Sequence, residues 1–270
     1  MKKYIIILLI LLLVGCSQSE SQEEKVTLIA HRGAKNLAPE HTLTAYNKAV
    51  ELGTDFIEID LRMTKDGQLI SIHDETVDRT TNGEGEVSQF TLAELEQLDA
   101  GSWFSNEYQG EKIPTLEEIF DTFGKNTNYF IETRPMNGEL VMEDELLRLI
   151  EEKGLKDYVI IQSFSRDSLK KIHQQNSEIP LVQLLYVNLT KEVREDEVKE
   201  YATGVGPYAP TIDKEFVERM HEVGLEVYVW FDNKDEKEFM PKVLSYGVDA
   251  VFTDFLDNTV EVMSQDISKQ

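Results

Sequence analysis

Three segments of the chain decide the fold: Ile29-Ala30-His31-Arg32-Gly33, Phe56-Ile57-Glu58-Ile59-Asp60 and Ser71-Ile72-His73-Asp74. Each is an apolar run that carries, or ends in, side chains suited to phosphate or metal chemistry. On a β-strand successive side chains alternate between faces, so Glu58 and Asp60 point one way and Ile57 and Ile59 the other. The pattern therefore predicts two acids held side by side on one strand.

Outside these segments, β-branched runs alternate with amphipathic stretches. We expect strands at 26–30, 55–61, 68–73, 127–133, 158–163, 181–186, 225–231 and 249–253. We expect helices at 42–52, 115–123, 139–153, 166–175, 191–201, 213–223 and 235–245. This alternation favours parallel βα units, and 270 residues suit an α/β barrel of about 250 residues. An open doubly wound sheet is the competing architecture, and the weak segment 202–208 is either a ninth strand or part of a loop.

Residues 75–113, between the third predicted strand and the next helix, form a connection too long for a simple barrel loop. The segment contains several glycines and the aromatic residues Trp103, Phe104 and Tyr108. Thr91 and Thr115 each precede helix-start chemistry, with acids in the first turn. We interpret 75–113 as a small inserted subdomain over the active face, and expect it to govern substrate size rather than chemistry.

The N-terminus is typical of an export signal. Lys2 and Lys3 precede an apolar run from Tyr4 to Val14, which is shorter than the roughly 20 residues of a membrane span. The run ends at Leu13-Val14-Gly15-Cys16, which resembles a bacterial lipoprotein signal with Cys16 as the lipidated residue. A cleaved secretory signal or a short uncleaved anchor with an incidental cysteine is the alternative.

The lipoprotein interpretation divides the chain into a signal peptide (1–15), a polar tether (16–25) and a barrel domain (26–262) that includes the insertion (75–113). It predicts an extracytoplasmic protein, lipid-anchored to the cell membrane of a bacterium. Cys16 is the single cysteine, so an internal disulfide is excluded. The net charge of −24 disfavours nucleic acid as a partner and favours cations. The sequence does not indicate the oligomeric state.

Inward carboxylates on a barrel strand are costly unless they are paired or bind a metal. Glu58, Asp60 and Glu132 together therefore predict either an oxygen-ligand site for a hard cation or an ion-pair network with Arg32 and Arg134, and the residues alone leave both open. Arg134 lies two residues beyond Glu132, on the same strand face, and its planar guanidinium suits phosphate oxygens.

Two histidines, His31 and His73, follow apolar strands at the end where barrel active sites form, which favours catalytic roles. We assign structural roles to the other histidines, His41, His173 and His221, because they fall in helical patterns. Aromatic side chains that either shape a pocket or belong to the core are Phe164, Trp230, Trp103 and Phe104.

Motifs spread over about residues 27–256 resemble the glycerophosphodiester phosphodiesterase family. They include His31-Arg32-Gly33, Pro39-Glu40-His41-Thr42, Gly53 to Asp60, Thr64-Lys65-Asp66-Gly67, His73-Asp74, Asp78-Arg79-Thr80-Thr81, Ile113 to Glu118, Ile131-Glu132-Thr133-Arg134, Gln162-Ser163-Phe164, Val229-Trp230 and Phe252-Thr253-Asp254-Phe255. The family usually has asparagine where this chain has His41, lysine where Arg134 stands, and often proline in place of Leu256. It often has Trp-Thr-Val-Asn where this chain has Trp230-Phe231-Asp232-Asn233.

The resemblance implies a TIM-type (β/α)8 barrel with an inserted subdomain after the third strand, and one divalent cation, Mg²⁺ or Ca²⁺. It implies that Glu58, Asp60 and Glu132 bind the cation and that His31 and His73 exchange protons with the substrate. The implied reaction is hydrolysis of a small glycerophosphodiester to sn-glycerol 3-phosphate and an alcohol. Arg32 would act in catalysis, and Arg134, Phe164 and Trp230 would bind substrate.

Two alternatives for the function stay open. One is a related barrel phosphodiesterase that acts on lysophospholipid or on a glycerol-phosphate polymer, since the insertion would set the reach of the substrate. The other is a solute-binding lipoprotein, which usually has two α/β lobes and does not need paired histidines beside three acids.

Overall fold

The computed structural model describes residues 25–232 and 234–259. The predicted signal peptide, Cys16 and nearly all of the predicted tether lie outside the described residues, as does the end of the predicted 26–262 domain. Within the described part of the chain, no helix has both the length and the apolar character to cross a membrane.

A closed barrel of parallel strands is the frame of the molecule, as predicted. Its strands are β1 (Thr27–Ala30), β2 (Phe56–Met63), β4 (Asn128–Glu132), β5 (Val159–Ser163), β6 (Leu181–Leu184), β7 (Gly204–Gly206), β8 (Glu226–Val229) and β9 (Ala250–Thr253). Each strand pairs in parallel with the next, and β1 closes the ring by pairing with both β2 and β9. Closure rules out the open doubly wound sheet.

One strand prediction was wrong in detail, and one alternative left open by the sequence is decided. The segment 68–73 does not enter the barrel: β3 (Leu69–Ser71) pairs antiparallel with the far end of β2, after a tight turn that closes at Gly67. Gly67 has φ +84°, which glycine adopts without strain. The eighth barrel strand is instead β7, from the weak segment 202–208.

The sequence of β7 shows almost no strand pattern because this position in the barrel has room only for small residues. A Cβ on Gly206 would lie 2.5 Å from a Leu184 methyl carbon, and one on Gly204 would lie 2.8 Å from the Glu226 carbonyl oxygen. Neighbouring side chains and backbone therefore approach this strand too closely for larger residues. A Gly-Val-Gly sequence has almost no apolar pattern, so periodicity cannot identify it.

Helices lie between the strands close to the predicted positions. They are α1 (Leu43–Glu51), α2 (Leu92–Leu95), α3 (Leu116–Phe123), α4 (Glu143–Lys153), α5 (Arg166–Gln175), α6 (Glu195–Val198), α7 (Lys214–Glu222) and α8 (Glu236–Tyr246). The predicted helix at 191–201 is reduced to the single turn of α6, preceded by a short 3₁₀ turn. Thr91 and Thr115 each begin a helix with a reciprocal capping box, to Glu94 and Glu118.

The insertion lies between β3 and α3 and has its own small apolar core. The buried residues of that core are Ile70, Ile72, Val77, Val87, Leu95, Ala100 and Ile113. A separate cluster fills the barrel interior, formed by Ile29, Phe130, Val182, Tyr228, Ala250 and Phe252. Since the interior cluster plugs the middle of the barrel, polar side chains near the strand ends are left facing one open mouth.

Candidate active site

A cavity of about 810 Å³ opens at the carboxyl ends of the barrel strands. One part of its wall is polar and is formed by strands β2 and β4 and by the segments that follow β1, β3, β4 and β9, and another part is rich in aromatic side chains. The predicted residues that line it are His31, Arg32, Glu58, Asp60, His73, Glu132, Arg134, Phe164 and Trp230. The fold therefore brings together every predicted site residue that the structure describes.

The carboxylate cluster (Glu58, Asp60 and Glu132) forms the floor of the polar part. Glu58 and Asp60 share one face of β2, as the alternation predicts, and Asp60 is in register with Glu132 on the neighbouring β4. The exposed fractions are 1% for Glu58, 1% for Asp60 and 5% for Glu132. Three acids this deeply buried require compensation by positive charge.

Arg134 compensates two of the three acids. Its Nε atom lies 2.6 Å from Glu132 Oε1, and its second terminal nitrogen lies 2.7 Å from Asp60 Oδ1. Burial favours the neutral acid of Asp60, but Arg134 and His41 outweigh burial and hold the pKa of Asp60 well below its usual value. The ion-pair network considered from the sequence is thus present around Asp60 and Glu132.

Glu58 has no such partner. Its carboxylate accepts hydrogen bonds from the Arg32 backbone N–H at 2.9 Å and from the Gln162 amide at 3.3 Å, and it forms no ion pair among the described residues. Burial, with the charges of Asp60 and Glu132, raises the pKa of Glu58 well above its usual value. Burial likewise raises the pKa of Glu132 to about 7, despite the opposing charge of Arg134. The cluster therefore has an excess of acceptor oxygens over cations.

His41 is a functional candidate that the sequence analysis missed. The helical interpretation was wrong here, because His41 has φ +56° and precedes Thr42, the N-cap of α1. Its Nε2 atom lies 2.8 Å from Asp60 Oδ2, and its Nδ1 atom lies 2.7 Å from the Tyr46 hydroxyl. Ligand atoms of His41, Glu58 and Asp60 all lie within 4.8 Å of one another.

The other two histidines outside the predicted site keep their structural interpretation. His221 lies on α7 and its Nε2 atom is 2.8 Å from Asp249 Oδ2, remote from the cavity wall. His173 lies in the last turn of α5. A reversal of the chain just before a helix, as at His41, leaves no periodic signal, whereas both of these residues fit helical periodicity.

His31 forms the first dyad, with Asp254. Its Nδ1 atom lies 2.6 Å from Asp254 Oδ1, and Lys35 Nζ lies 2.5 Å from the same carboxylate oxygen. Burial, followed by the nearby charges of Lys35 and Arg32, lowers the pKa of His31 to about 4 against the opposing effect of Asp254. The ring is therefore neutral at neutral pH. A proton on Nδ1 leaves Nε2 as the free basic atom.

His73 forms the second dyad, with Asp74. The His73 Nδ1 atom lies 2.7 Å from Asp74 Oδ1, and the His73 backbone carbonyl accepts hydrogen bonds from Arg134 at 2.8 Å and Arg62 at 2.9 Å. Burial lowers the pKa of His73 to about 4, with Asp60 opposing and Arg32 and Arg134 contributing. The mouth thus holds two neutral imidazoles with the same hydrogen-bonding arrangement.

Arg32 is held by a sharp turn at the end of β1. It has φ +61°, and a Cβ on the following Gly33 would lie 2.9 Å from the Ala45 carbonyl carbon, so only glycine fits there. One terminal nitrogen of Arg32 donates to Glu40 at 3.0 Å, while Nε is buried without a hydrogen-bond partner among the described residues. That Nε atom lies 3.5 Å from Asp60 Oδ2, so the guanidinium forms ion pairs with both Glu40 and the carboxylate cluster.

The aromatic part of the cavity faces the carboxylate cluster. Phe164 and Trp230 meet edge to face with ring centroids 6.4 Å apart. The ring centroids of Tyr208 and Trp230 are 4.6 Å apart. Trp103 and Phe104 of the insertion complete this wall from above, in an edge-to-face pair at 5.8 Å. The cavity therefore offers a charged side for a phosphate and an apolar side for carbon.

The chain is similar to known proteins over nearly all of the described region. The family model of the glycerophosphoryl diester phosphodiesterase family matches residues 31–258. A glycerophosphodiester phosphodiesterase from Bacillus subtilis is 41% identical over 251 residues, which cover 87% of this chain and 85% of that protein. One from Caldanaerobacter subterraneus is 38% identical over 233 residues, which cover 85% of this chain and 94% of that protein.

Solved structures show the same likeness. A phosphodiesterase from Oleispira antarctica, solved in complex with the product sn-glycerol-3-phosphate, superimposes with a TM-score of 0.78 at 29% identity. That match covers 88% of this chain and 96% of the other. A glycerophosphodiester phosphodiesterase from Agrobacterium tumefaciens matches with a TM-score of 0.75 at 26% identity, covering 88% of this chain and 100% of the other.

Proposed function

The chain belongs to the glycerophosphodiester phosphodiesterase family and is an enzyme of that activity, and from this premise we propose how its site works. It hydrolyses glycerophosphodiesters to sn-glycerol 3-phosphate and an alcohol with one divalent cation and with His31 and His73 as acid and base. The observation that carries the proposal is the buried Glu58 carboxylate, which has two acids beside it and no ion-pair partner among the described residues. The enzyme assignment and the closed single barrel also disfavour a solute-binding protein.

The residues present fit a hard divalent cation. Carboxylate oxygens are the ligands that Mg²⁺ and Ca²⁺ prefer, and Glu58, Asp60 and Glu132 would hold the ion. The fit is supported by the Glu58 carboxyl group, which has no ion-pair partner among the described residues and whose raised pKa favours a proton that a cation can replace. It is also supported by the Gln162 side-chain oxygen, which is buried without a partner among the described residues. When bound, the cation neutralises charge on phosphate oxygens and lowers the pKa of a nearby hydroxyl.

The two histidines are positioned to exchange protons with the substrate. Each ring has its Nδ1 atom engaged by a carboxylate, which leaves Nε2 to accept or donate a proton. An anionic phosphodiester between them favours the charged form of the ring that must act as the acid, because opposite charges stabilise each other. One ring takes a proton from the glycerol 2-hydroxyl and the other gives one to the leaving alcohol.

Attack by the substrate's own 2-hydroxyl is the step that the bound phosphodiester favours over attack by water. A well-oriented internal nucleophile has an effective molarity of about 10⁵ M or more over an external one. The product of this step is a cyclic 1,2-phosphate, which water then opens with the two histidines exchanging roles. Arg32 and Arg134 stabilise the charge that develops on the phosphoryl oxygens, as fixed cations do in a site shielded from water.

Lysophospholipid is a second candidate substrate, and the rim of the cavity favours it. Large apolar side chains that line the mouth are unusually exposed, with Val187 at 55%, Trp103 at 39% and Phe255 at 36%. Exposed apolar patches of this kind mark ligand grooves or interaction sites. An acyl chain leaving the mouth would cover these side chains, whereas a short alcohol would not.

The location proposed for the enzyme follows from its N-terminus. We propose that residues 1–15 are a lipoprotein signal, that Cys16 carries the lipid and that 16–25 tether the barrel to the outside of the bacterial membrane. The support is the order of two lysines, a short apolar run and the single cysteine.

A product assay tests the proposal. The purified enzyme is incubated with glycerophosphocholine, glycerophosphoethanolamine, lysophosphatidylcholine and a glycerol-phosphate polymer, with EDTA and then with added Mg²⁺ or Ca²⁺. The phosphate monoester that each substrate yields is measured, which is lysophosphatidic acid for lysophosphatidylcholine and sn-glycerol 3-phosphate for the others. We expect release that EDTA abolishes and one of the two cations restores. A full rate in EDTA would contradict the role of the cation, and the relative rates separate the two substrate candidates.

A substrate with a methylated 2-hydroxyl tests the nucleophile. Such a glycerophosphodiester keeps its phosphate and its alcohol, so it should still bind and act as a competitive inhibitor, yet be hydrolysed far more slowly. Hydrolysis at the unmodified rate would show that water attacks the phosphorus directly.

A further inference from the structure

Arg79, in the insertion, is held between two carboxylates at the edge of the cavity. Its Nε atom lies 2.6 Å from Asp74 Oδ2, and one terminal nitrogen lies 2.9 Å from Glu40 Oε2. The other terminal nitrogen is shared between Glu40 Oε1 at 2.8 Å and Asp74 Oδ1 at 3.2 Å. All three guanidinium nitrogens are therefore engaged, in the two-pronged geometry that is the most specific for arginine.

The two carboxylates that Arg79 holds each contact a proposed catalytic group. Asp74 Oδ1 lies 2.7 Å from His73 Nδ1, and Glu40 Oε1 accepts a hydrogen bond from Arg32 at 3.0 Å. His73 follows the hairpin strand β3, while Arg32 follows β1, so the two groups lie on different segments of the mouth. Arg79 therefore connects the side chain that orients the His73 ring with the side chain that pairs with Arg32.

We propose that Arg79 is a positioning residue that fixes His73 through Asp74 and Arg32 through Glu40, an inference that rests on the roles proposed above for His73 and Arg32. The insertion thereby takes part in the chemistry. This changes the expectation that the insertion governs substrate size alone, which stays a prediction for its aromatic residues Trp103 and Phe104.

The second dyad needs such support because it lies outside the barrel. The Asp74 side chain is 28% exposed and follows β3, whose strand pairing is antiparallel to β2 and ends at Ser71. Without Arg79, the Asp74 carboxylate is free to turn toward water, and the His73 ring loses a fixed orientation. A displacement of about 1 Å in a catalytic group can cost on the order of 10²-fold in rate.

A direct role for Arg79 in binding the substrate phosphate fits the contacts less well. Its guanidinium is already matched by two negative charges, and its three nitrogens already donate to carboxylate oxygens. Arg32 and Arg134 are the arginines in contact with the carboxylate cluster. The two roles also differ in their kinetics, because loss of a phosphate contact raises KM whereas loss of positioning lowers kcat.

The test compares Arg79→Ala and Arg79→Lys with Arg148→Ala in the full-length enzyme. Arg148 is a matched control, since it also bridges two carboxylates, Glu145 and Glu152, but on the outer surface of α4. With glycerophosphocholine, we expect kcat of Arg79→Ala to fall about 10- to 100-fold with little change in KM. Arg79→Lys should recover part of the loss because an ammonium can still pair with a carboxylate, and Arg148→Ala should match the wild type.

A double-mutant cycle with His73→Ala supplies a result that general loss of structure cannot mimic. In the His73→Ala background, Arg79→Ala should cost much less than in the wild type, because the two changes disrupt one unit. If Arg79→Ala unfolds below the assay temperature, Arg79→Gln takes its place in the cycle, since it keeps a side chain of similar length.

Three results would overturn the inference: an unchanged kcat in Arg79→Ala, an increase in KM alone, or losses that are fully independent of His73. Failure of the proposed function looks different. In that case His73→Ala itself keeps full activity, whatever Arg79 does.

Discussion

The two dyads use the same chemistry on two different supports. In both, a histidine Nδ1 atom lies close to an aspartate oxygen, at 2.6 Å for His31 and Asp254 and 2.7 Å for His73 and Asp74. Burial lowers the pKa of both rings to about 4. The aspartates differ, because the Asp254 side chain is 4% exposed and that of Asp74 is 28% exposed.

The difference lies in how each aspartate is held. Asp254 directly follows barrel strand β9, and its backbone N–H donates to the buried Glu236 carboxylate at 2.8 Å. Asp74 follows a hairpin strand outside the barrel and depends on the Arg79 side chain. The first dyad is therefore fixed by the closed sheet, and the second by a guanidinium from the insertion. One barrel end can thus combine a rigid proton-transfer group with one that an insertion positions.

Removing either ring should have the largest effect. We expect His31→Ala and His73→Ala each to lower kcat by about 10²- to 10⁴-fold, because each removes one partner in proton transfer. Steady-state hydrolysis of glycerophosphocholine measures the loss. His221→Ala is the matched control, since His221 forms a similar pair with Asp249 away from the cavity. A full rate in either variant would show that the dyad containing that histidine takes no part in the reaction.

Changing the aspartates should separate the two supports. We expect Asp254→Asn to lower kcat by about 10²-fold and Asp74→Asn by about 10-fold, both less than loss of a ring. The buried Asp254 has no solvent to replace it, whereas water can reach the more exposed Asp74. The same assay measures both variants. Equal losses would show that burial of the aspartate does not distinguish the dyads.

The carboxylate cluster beneath both dyads should respond to metal in a pH-dependent way. Burial raises the folded-state pKa of Glu132 to about 7. This group therefore stabilises the metal-free fold below its unfolded pKa, and that stability is lost as pH rises through about 7. Divalent cations compete with these protons, so the increase in melting temperature caused by Mg²⁺ or Ca²⁺ should be small near pH 5 and larger near pH 8.

The histidines contribute with the opposite sign. Their folded-state pKa values are lowered, so their contribution is present above the unfolded pKa of about 6.5 and is lost as pH falls toward about 4. At each pH, the melting temperature without metal is subtracted from the melting temperature with metal. The contribution of the histidines is then largely removed, and the effect of metal on the carboxylate cluster remains. Glu132→Gln should reduce the pH dependence of the metal effect, and Glu58, whose pKa is also raised, should supply the remainder. A metal effect that is greatest at acid pH would contradict this account.

Most of the barrel and of the carboxylate cluster could be predicted from the pattern of neighbouring residues in the sequence. Alternation on β2 placed Glu58 and Asp60 together, and His31 and His73 follow apolar strands that the sequence marks clearly. The wrong placement of 68–73 and the open alternative at 202–208 had one physical cause, which is that the pattern of side chains along a strand does not identify the strands it pairs with. Ile70 and Ile72 look like a barrel strand but pack in the insertion, while Gly204-Val205-Gly206 looks like a loop but completes the barrel.

Contacts that join distant segments could not be predicted. His41 reaches Asp60 through a positive φ, and Asp254 reaches His31 only because β9 closes on β1. Arg79 meets Glu40 across 39 positions of sequence. Each of these residues belongs to a motif that the sequence analysis quoted. The motif indicates that the residue matters, but the contact that defines its role forms only when the barrel closes.

The smallest kinetic effect should come from a change outside both dyads. If Cys16 carries the lipid, Cys16→Ser should move the enzyme from the membrane fraction to the medium, or leave unprocessed precursor. The kcat of the released barrel should stay unchanged, because the proposed catalytic and metal-binding residues all lie within 31–134, beyond the predicted tether that begins at Cys16. Cell fractionation with an activity assay measures both. A correctly trimmed variant that stays with the membrane would contradict the lipid anchor.

The central claim is that the two dyads act as an acid and a base on one phosphodiester. The most direct test measures kcat of His31→Ala and His73→Ala on glycerophosphocholine and on the p-nitrophenyl ester of glycerol 3-phosphate, whose leaving group needs no proton. We expect one variant to regain most of its activity on the p-nitrophenyl ester, which identifies the acid, while the other stays impaired on both substrates. Equal losses in both variants on both substrates would contradict the division of roles between the dyads.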